Sequence, residues 1–375
     1  MFSLYNIDTL CNCINQYCSP DRILTYFDSP FFFSTALHVL SILTLPMHLF
    51  GAYCILFKTP ERMISVKFSL LHLHFWTSLL DIGFSLLTTP FIVLPILAGY
   101  PLGLLNFTGM TTQIQTFLMM VFIGEASVAV VGIFENRYHV ISGNQIWKKV
   151  RPVWYVINYI NAGVFFLPVY YSFPEDQVEK KQMVLKVLLN FWKLSSTSFQ
   201  AIPCLHPDAS SANLFIMAEK PGTFIWVVLS EFIFLGIQTL TFFFLIYKYL
   251  TQFGSSLSAK TIKLQRKLMK TLMLQLALPI VIVLLPLCYC GLATWRRYHN
   301  QALNNLSFII IASHGFFSTI AVLYMHIPYR EEVMRLLGIT PMPTEPTPEI
   351  NSANQLQPVA PVRNNLFSNT FPDNN

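Results

Sequence analysis

Long apolar runs separated by short polar segments dominate this chain. Seven runs reach the roughly 20 residues that a helix needs to cross a hydrocarbon core. They lie near residues 31–57, 68–98, 113–135, 153–171, 224–248, 271–292 and 303–327. Because backbone polar groups in lipid must be paired within their own segment, each run is predicted to form a helix.

The composition supports this interpretation. Of 375 residues, 54% are hydrophobic and only 11% are charged, whereas soluble domains carry about 25% charged residues. Because this small number of ionised groups could not cover the surface of a water-soluble protein, the lipid bilayer is the predicted environment. The net charge of +6 is explained by basic loops, and no groove-reading or base-stacking motif indicates a nucleic-acid partner.

The distribution of Lys and Arg sets the orientation. With the N-terminus outside, sixteen of the 24 basic residues fall in inner segments and eight in outer segments. Residues 1–30 are then predicted to be an extracellular N-terminus without a cleaved leader, and residues 31–338 form the helical domain. Residues 339–375 are a Pro- and Asn-rich cytoplasmic tail that is predicted to be disordered. Residues 329–337 predict a short amphipathic helix on the inner membrane surface, ended by Gly338. The predicted fold class is an all-α membrane protein, a bundle of seven transmembrane helices.

Cysteines on the predicted outer side can form a disulfide, because disulfides persist in oxidising compartments. Cys204 lies in the long outer connection, and Cys18 is the preferred partner among three N-terminal cysteines, although the sequence does not fix the connectivity. Cys54 is predicted to be an inert packing residue. The sequons at Asn106 and Asn305 lie close to the bilayer and are expected to stay unmodified.

Three acidic residues, Asp81, Glu125 and Glu231, lie inside predicted spans. An ionised group at the bilayer centre costs at least about 2.5 kcal/mol, so each must face the bundle interior or a wet cavity. Each is either an ion or ligand contact or a carboxyl hydrogen-bonded to neighbours such as Ser78 or His74. Glu231, two turns from the outer face, is the best single candidate for a ligand contact.

The inner ends of the third and sixth spans carry the remaining candidates. Glu135-Asn136-Arg137-Tyr138 ends the third run, where an arginine can pair with a carboxylate in one state and release it in another. The alternative is a simple interfacial anchor.

The most basic segment of the chain lies just before the sixth run. That run contains Pro279 and Pro286 and should be kinked. In the basic segment, Lys263, Arg266 and Lys267 suit the docking of an intracellular partner, although an ordinary positive-inside flank explains the charge equally well.

Catalysis, a cofactor and a metal site find no support in the sequence. It contains no HExxH, no GxSxG and no phosphate-cradling glycine loop, and no metal-ligand spacing accompanies the cysteines. A seven-span transporter should show repeat symmetry, which is absent. A ligand-gated channel of the insect odorant-receptor kind should have its N-terminus inside.

Several local motifs together resemble one family, the nematode serpentine receptor class H (Srh) chemoreceptors. The resemblance extends from about Cys18 to Gly338. The motifs that carry it are Phe50 to Pro60 (FGAYCILFKTP), Leu73 to Trp76 (LHFW), Leu79 to Asp81 (LLD), Ala98 to Gly103 (AGYPLG), Phe134 to Tyr138 (FENRY), Pro203 to Leu205 (PCL) and Pro328 to Arg330 (PYR).

This resemblance implies a G-protein-coupled chemoreceptor in the plasma membrane of sensory neurons, with a small-molecule chemical cue and a heterotrimeric G protein as partners. Sensory cilia are the expected location. Arg137, the basic segment 260–270 and the helix containing Arg330 would line the inner cleft. The chain departs from the broad rhodopsin-like pattern, since Glu135 stands two residues before Arg137 and His326 replaces an Asn. Switch details from those receptors therefore do not transfer.

Overall fold

The computed structural model describes residues 25–181, 214–218, 221–252 and 259–339. Its long helices belong to one bundle. They are α1 (Pro30–Phe57), α2 (Ile64–Ile82, extended by a π-helical turn, Gly83–Leu87), α3 (Thr112–Ser142), α4 (Gln145–Val164) with the short α5 (Leu167–Tyr171), α6 (Pro221–Gln252), α7 (Ala259–Arg296), α8 (Gln301–Ala312), α9 (His314–Met325) and α10 (Ile327–Leu336).

Six of the helical stretches are long and apolar enough to cross a membrane, and a shorter apolar stretch, Ile280–Arg296, lies within α7. The seventh span consists of α8 and α9, which join at Ser313. The prediction of a seven-helix bundle is confirmed. Large apolar side chains such as Ile42, Phe244 and Leu285 are more than half exposed, as expected for surfaces that face lipid rather than water.

The predicted second span, 68–98, is wrong at its outer end. The helical part stops at Leu87, and Pro90–Val93 (β1) and Ala98–Pro101 (β2) form an antiparallel hairpin. The residue before a proline disfavours the helical conformation, so Thr89-Pro90 ends the helix despite the apolar sequence that follows. A third strand, Phe215–Ile216 (β3), pairs with β2, and the sheet side chains Phe91, Val93 and Ile216 are almost completely buried.

The third span is also longer than predicted. Helix α3 continues to Ser142, two turns past the expected end at residue 135, and Gly143 ends it with φ of 58°. A left-handed glycine at this position is a common helix stop. Glu135 and Arg137 therefore lie within a helix that extends beyond its apolar run, and their side chains are buried against neighbouring helices.

Beyond the seventh span, the predicted short helix is present as α10, and Gly338 has a φ of 70° as expected of a helix stop. The residues group into two units, Met1–Val333 and Met334–Asn375. Within the second unit, Ile339 N donates to Met334 O at 2.9 Å, which closes the end of α10.

Candidate functional site: the inner end and polar centre of the bundle

Glu135 is fully buried at the inner end of α3 and is surrounded by donors from α4. Its carboxylate accepts hydrogen bonds from Trp147 Nε1 at 2.7 Å, Arg151 Nε at 2.9 Å and Tyr155 Oη at 2.8 Å. Arg151 also donates to Asn136 Oδ1 at 2.8 Å. The charge partner of Glu135 is therefore on the fourth span, a contact that the sequence motif did not reveal.

Arg137 is only 3% exposed, and its Nε and Nη2 have no hydrogen-bond partner among the described residues. Side chains two positions apart on a helix do not face each other, which explains why Glu135 and Arg137 point to different neighbours. Tyr138 is half-buried, with its ring packed 5.9 Å from that of Phe242 and 6.3 Å from that of Trp147. The three motif residues thus have three different environments.

The first inner loop is connected to the start of α10 by two contacts that sequence reasoning missed. Tyr329 Oη lies 2.6 Å from Thr59 Oγ1, and Lys58 Nζ lies 3.2 Å from the buried carboxylate of Glu332. The hydrogen bonds to Glu332 and then to Tyr53 raise the pKa of Lys58. We call the four residues of these two side-chain contacts, Lys58, Thr59, Tyr329 and Glu332, the inner latch. Arg330, which is half-buried and is not part of the inner latch, donates its backbone N–H to His326 O.

The basic segment before the sixth span forms the first turns of α7, so Lys263, Arg266 and Lys267 share one helix. Their spacing of three and four residues puts them on one helical face. The Arg266 side chain is exposed, whereas at Lys263 and Lys267 the structure describes only the helical backbone. Between the fifth span and α7, an apolar cavity of about 890 Å³ is lined by residues that include Leu250, Met269 and Arg266.

Asp81 lies in the polar centre of the bundle with no solvent exposure. Its Oδ1 lies 2.8 Å from His314 Nδ1 and accepts from Gly315 N at 3.1 Å, and its Oδ2 lies 3.2 Å from His48 Nε2. Histidines are among its partners, as the sequence suggested, but the two examples named from the sequence, Ser78 and His74, do not bond to this carboxylate in the described structure. His74 instead contacts His48 O, and Ser78 Oγ has no partner among the described residues. The actual partners come from spans one and seven.

The other two carboxyls singled out from the sequence, Glu125 and Glu231, are on the third and fifth spans. Glu125 is 7% exposed and its Oε2 has no partner in the described structure. Glu231 is 2% exposed, and Asn161 Nδ2 approaches its two carboxylate oxygens at 3.3 and 3.5 Å. Both carboxyls therefore point into the bundle, and neither has a strong donor in the part of the chain that the structure describes.

The cysteine and glycosylation candidates divide by location. Cys18 and Cys204 lie outside the described residues, so their disulfide stays a prediction. Cys54 is a buried free thiol in the core. Asn106 is exposed in a 3₁₀ turn, whereas Asn305 is 1% exposed and donates to Phe27 O at 2.8 Å. In the described part of the chain, no group of three His, Cys, Asp or Glu side chains could hold a metal ion.

A family model described as "Serpentine type 7TM GPCR chemoreceptor Srh" matches residues 28–339. The chain belongs to this family. The receptor is also similar to Serpentine receptor class H-72 of Caenorhabditis elegans, with 26% identity over 298 residues that cover 78% of this chain and 81% of that protein.

Family membership confirms the resemblance seen in the sequence and makes this protein a multi-pass membrane chemoreceptor of the serpentine, G-protein-coupled type. The matched region begins at Asp28, before the first span, and ends at Ile339, after α10. It includes the inner latch, the Glu135–Arg151 pair and the polar centre around Asp81. These sites therefore belong to the receptor body.

Proposed function

We propose that this Srh receptor binds a small environmental molecule in the outer part of its bundle and signals to a heterotrimeric G protein at the inner end. The single observation that carries the proposal is the buried Arg137 guanidinium, two of whose nitrogens have no partner among the described residues. Leaving buried donors unpaired costs about 1–3 kcal/mol. This cost favours any rearrangement that brings an acceptor to Arg137.

When an inner cleft opens around Arg137, a partner segment that inserts into the cleft would supply such an acceptor. The ligand shifts the population toward the open arrangement only if it binds that arrangement more tightly. Glu231 is our candidate for the ligand contact, because it is buried near the outer end of the fifth span and the hydrogen bonds it accepts within the described part of the chain, from Asn161, are long. The plasma membrane of sensory cilia is the proposed location.

The basic face of α7 is proposed to dock the G protein. We expect the charge-reversed variant Lys263→Glu, Arg266→Glu, Lys267→Glu to reach the cell surface normally and to lose agonist-evoked G-protein activation. The agonist is first found by screening odorants against cells that express the receptor. Arg296→Glu, an exposed position at the outer end of the same helix, is the matched control and should signal normally.

Normal signalling by the triple variant would contradict the docking role of this face. Measurements on the same cells distinguish the G-protein-coupled receptor from a second class of function, a ligand-gated channel or a small-molecule transporter. An odorant-evoked current that persists when G proteins are inactivated would favour the channel, and uptake of the labelled odorant would favour the transporter.

A further inference from the structure

His48 is 4% exposed and has an oxygen facing each of its ring nitrogens. Nδ1 lies 3.2 Å from Thr319 Oγ1, and Nε2 lies 3.2 Å from Asp81 Oδ2. Neutral imidazole carries only one N–H, so one of its nitrogens must accept rather than donate. The partners of the two nitrogens therefore determine how many protons the site holds.

The hydroxyl hydrogen of Thr319 takes part in another hydrogen bond. Its hydroxyl donates to Gly315 O at 2.8 Å, so the oxygen can only accept from His48 Nδ1, which must carry a hydrogen. A neutral His48 would then present the lone pair of Nε2 to Oδ2 of Asp81. If Asp81 were ionised, two acceptors would face each other in a buried site, which is unfavourable. One additional proton, on either atom, resolves this conflict.

The second histidine on Asp81 does not supply that proton. His314 Nδ1 faces two acceptors, Asp81 Oδ1 at 2.8 Å and Ile311 O at 3.0 Å, so it carries a hydrogen as the ordinary neutral tautomer can. Gly315 N also donates to Oδ1. Every donor on Oδ1 is accounted for without an extra charge, whereas Oδ2 requires one.

We propose that the bundle centre is a proton-binding site, in which one proton is shared between Asp81 Oδ2 and His48 Nε2. The proton joins three spans, because His48 lies on the first, Asp81 on the second, and Thr319 and His314 on the seventh. It also provides the positive charge that a buried carboxylate in a membrane requires.

Few other titratable groups face the pair. His74 of the second span contacts His48 O, with its ring centroid 5.6 Å from that of His48, and His314 comes from the seventh span. Among the described residues of the third and sixth spans, which pack against the second and seventh, no charged side chain bonds to these four groups. His74 and His314 are therefore the other titratable groups that the described structure places beside the pair.

The site makes stability depend on pH. A proton that only the folded receptor holds makes the free energy of unfolding depend on pH: it contributes while the site is protonated and is lost as the pH rises through the range in which the site releases it. The unfolding temperature of the full-length receptor in lipid nanodiscs should therefore fall as the pH increases through that range.

The variant Asp81→Asn tests the proposal, because asparagine fits all the contacts without the proton. Its Oδ1 accepts from His314 and Gly315, and its amide nitrogen donates to Nε2 of a neutral His48. We expect Asp81→Asn to fold and to lose most of this pH dependence. A variant as pH-dependent as the wild type would overturn the proposal.

Spectroscopy on the wild-type receptor keeps the test independent of folding in the variant. With labelled histidine and aspartate, at pH 6 we expect either an imidazolium signal that disappears in His48→Gln or a protonated-carboxyl band that disappears in Asp81→Asn. A neutral His48 ring beside an ionised Asp81 at that pH would refute the shared proton.

Discussion

Arg151 on the fourth span donates from Nε to Oε2 of Glu135 on the third span at 2.9 Å, with Glu135 fully buried and the Arg151 side chain 25% exposed. The same guanidinium donates from Nη2 to Asn136. A planar fork that holds a carboxylate and an amide together cannot be replaced by the single point charge of lysine. The third and fourth spans are thus joined at their inner ends.

We expect Arg151→Ala to destabilise the receptor by roughly 2–3 kcal/mol, below the usual range for a broken buried pair because the guanidinium is partly exposed. Arg151→Lys should be intermediate, since it keeps the charge and loses one contact. The measurement is the unfolding temperature of purified receptor. Lys148→Ala, exposed on the same helix, is the control, and an equal loss in this variant would count against the pair.

The close approach of the seventh span to Asp81 depends on Gly315. A Cβ at this position would overlap Oδ2 of Asp81 and lie 2.7 Å from its Cγ. We expect Gly315→Ala to lower the unfolding temperature and surface expression strongly. The helix backbone at residue 315 is fixed and the carboxylate of Asp81 is fully buried, so neither can move aside for the added methyl group.

Gly236→Ala is the matched control for Gly315→Ala. A Cβ at Gly236 meets nothing within 4 Å, and alanine is favoured over glycine in a helix by about 1 kcal/mol. This variant should be neutral or slightly more stable. Equal tolerance of alanine at both positions would show that the seventh span does not approach Asp81 as described.

The inner latch pairs Glu332, whose carboxylate is buried, with Lys58, which is accessible to solvent. We expect Glu332→Gln and Lys58→Met each to lower the unfolding temperature, because each breaks this ion pair, and the charge-exchanged pair Lys58→Glu, Glu332→Lys to recover part of the loss. Glu331→Gln, at the neighbouring half-buried position, should have no effect. Failure of the exchanged pair to recover any stability would indicate that Glu332 acts without Lys58.

Glu231 is expected to contact the ligand. A hydrogen bond to a charged group contributes about 1.5–3 kcal/mol, so Glu231→Gln should raise the half-maximal agonist concentration by roughly tenfold or more without changing surface expression. Gln238→Ala, on the same helix, removes the hydrogen bond from Gln238 to Asn158 Oδ1 and serves as the control. An unchanged agonist response in Glu231→Gln would place the ligand elsewhere.

Asn305 should carry no glycan, because its amide is buried and bonded to Phe27 O and Gln301. The variant Ser307→Ala removes this sequon without altering Asn305, so its electrophoretic mobility should match that of the wild type. Thr108→Ala removes the sequon of the exposed Asn106 and provides the comparison. A glycan lost specifically in Ser307→Ala would mean that residue 305 is accessible during synthesis.

The sequence predicted the number and approximate positions of the spans because bilayer thickness imposes a length on every apolar run. Where the prediction failed, local chemistry overrode hydrophobicity. Thr89-Pro90 ended the second span and redirected an apolar stretch into a sheet, and Gly143, rather than the end of the apolar run, ended the third span.

The sequence by itself thus determined a membrane-embedded seven-helix receptor and marked Asp81, Glu125, Glu231 and Arg137 as residues that require an explanation. Only the tertiary structure decided their partners. His48 and His314 lie 33 and 233 positions from Asp81 along the chain, yet both contact its carboxylate. Hydrophobic periodicity reports which residues avoid water, whereas a hydrogen-bond partner depends on which helices pack together and on the rotation of each about its axis.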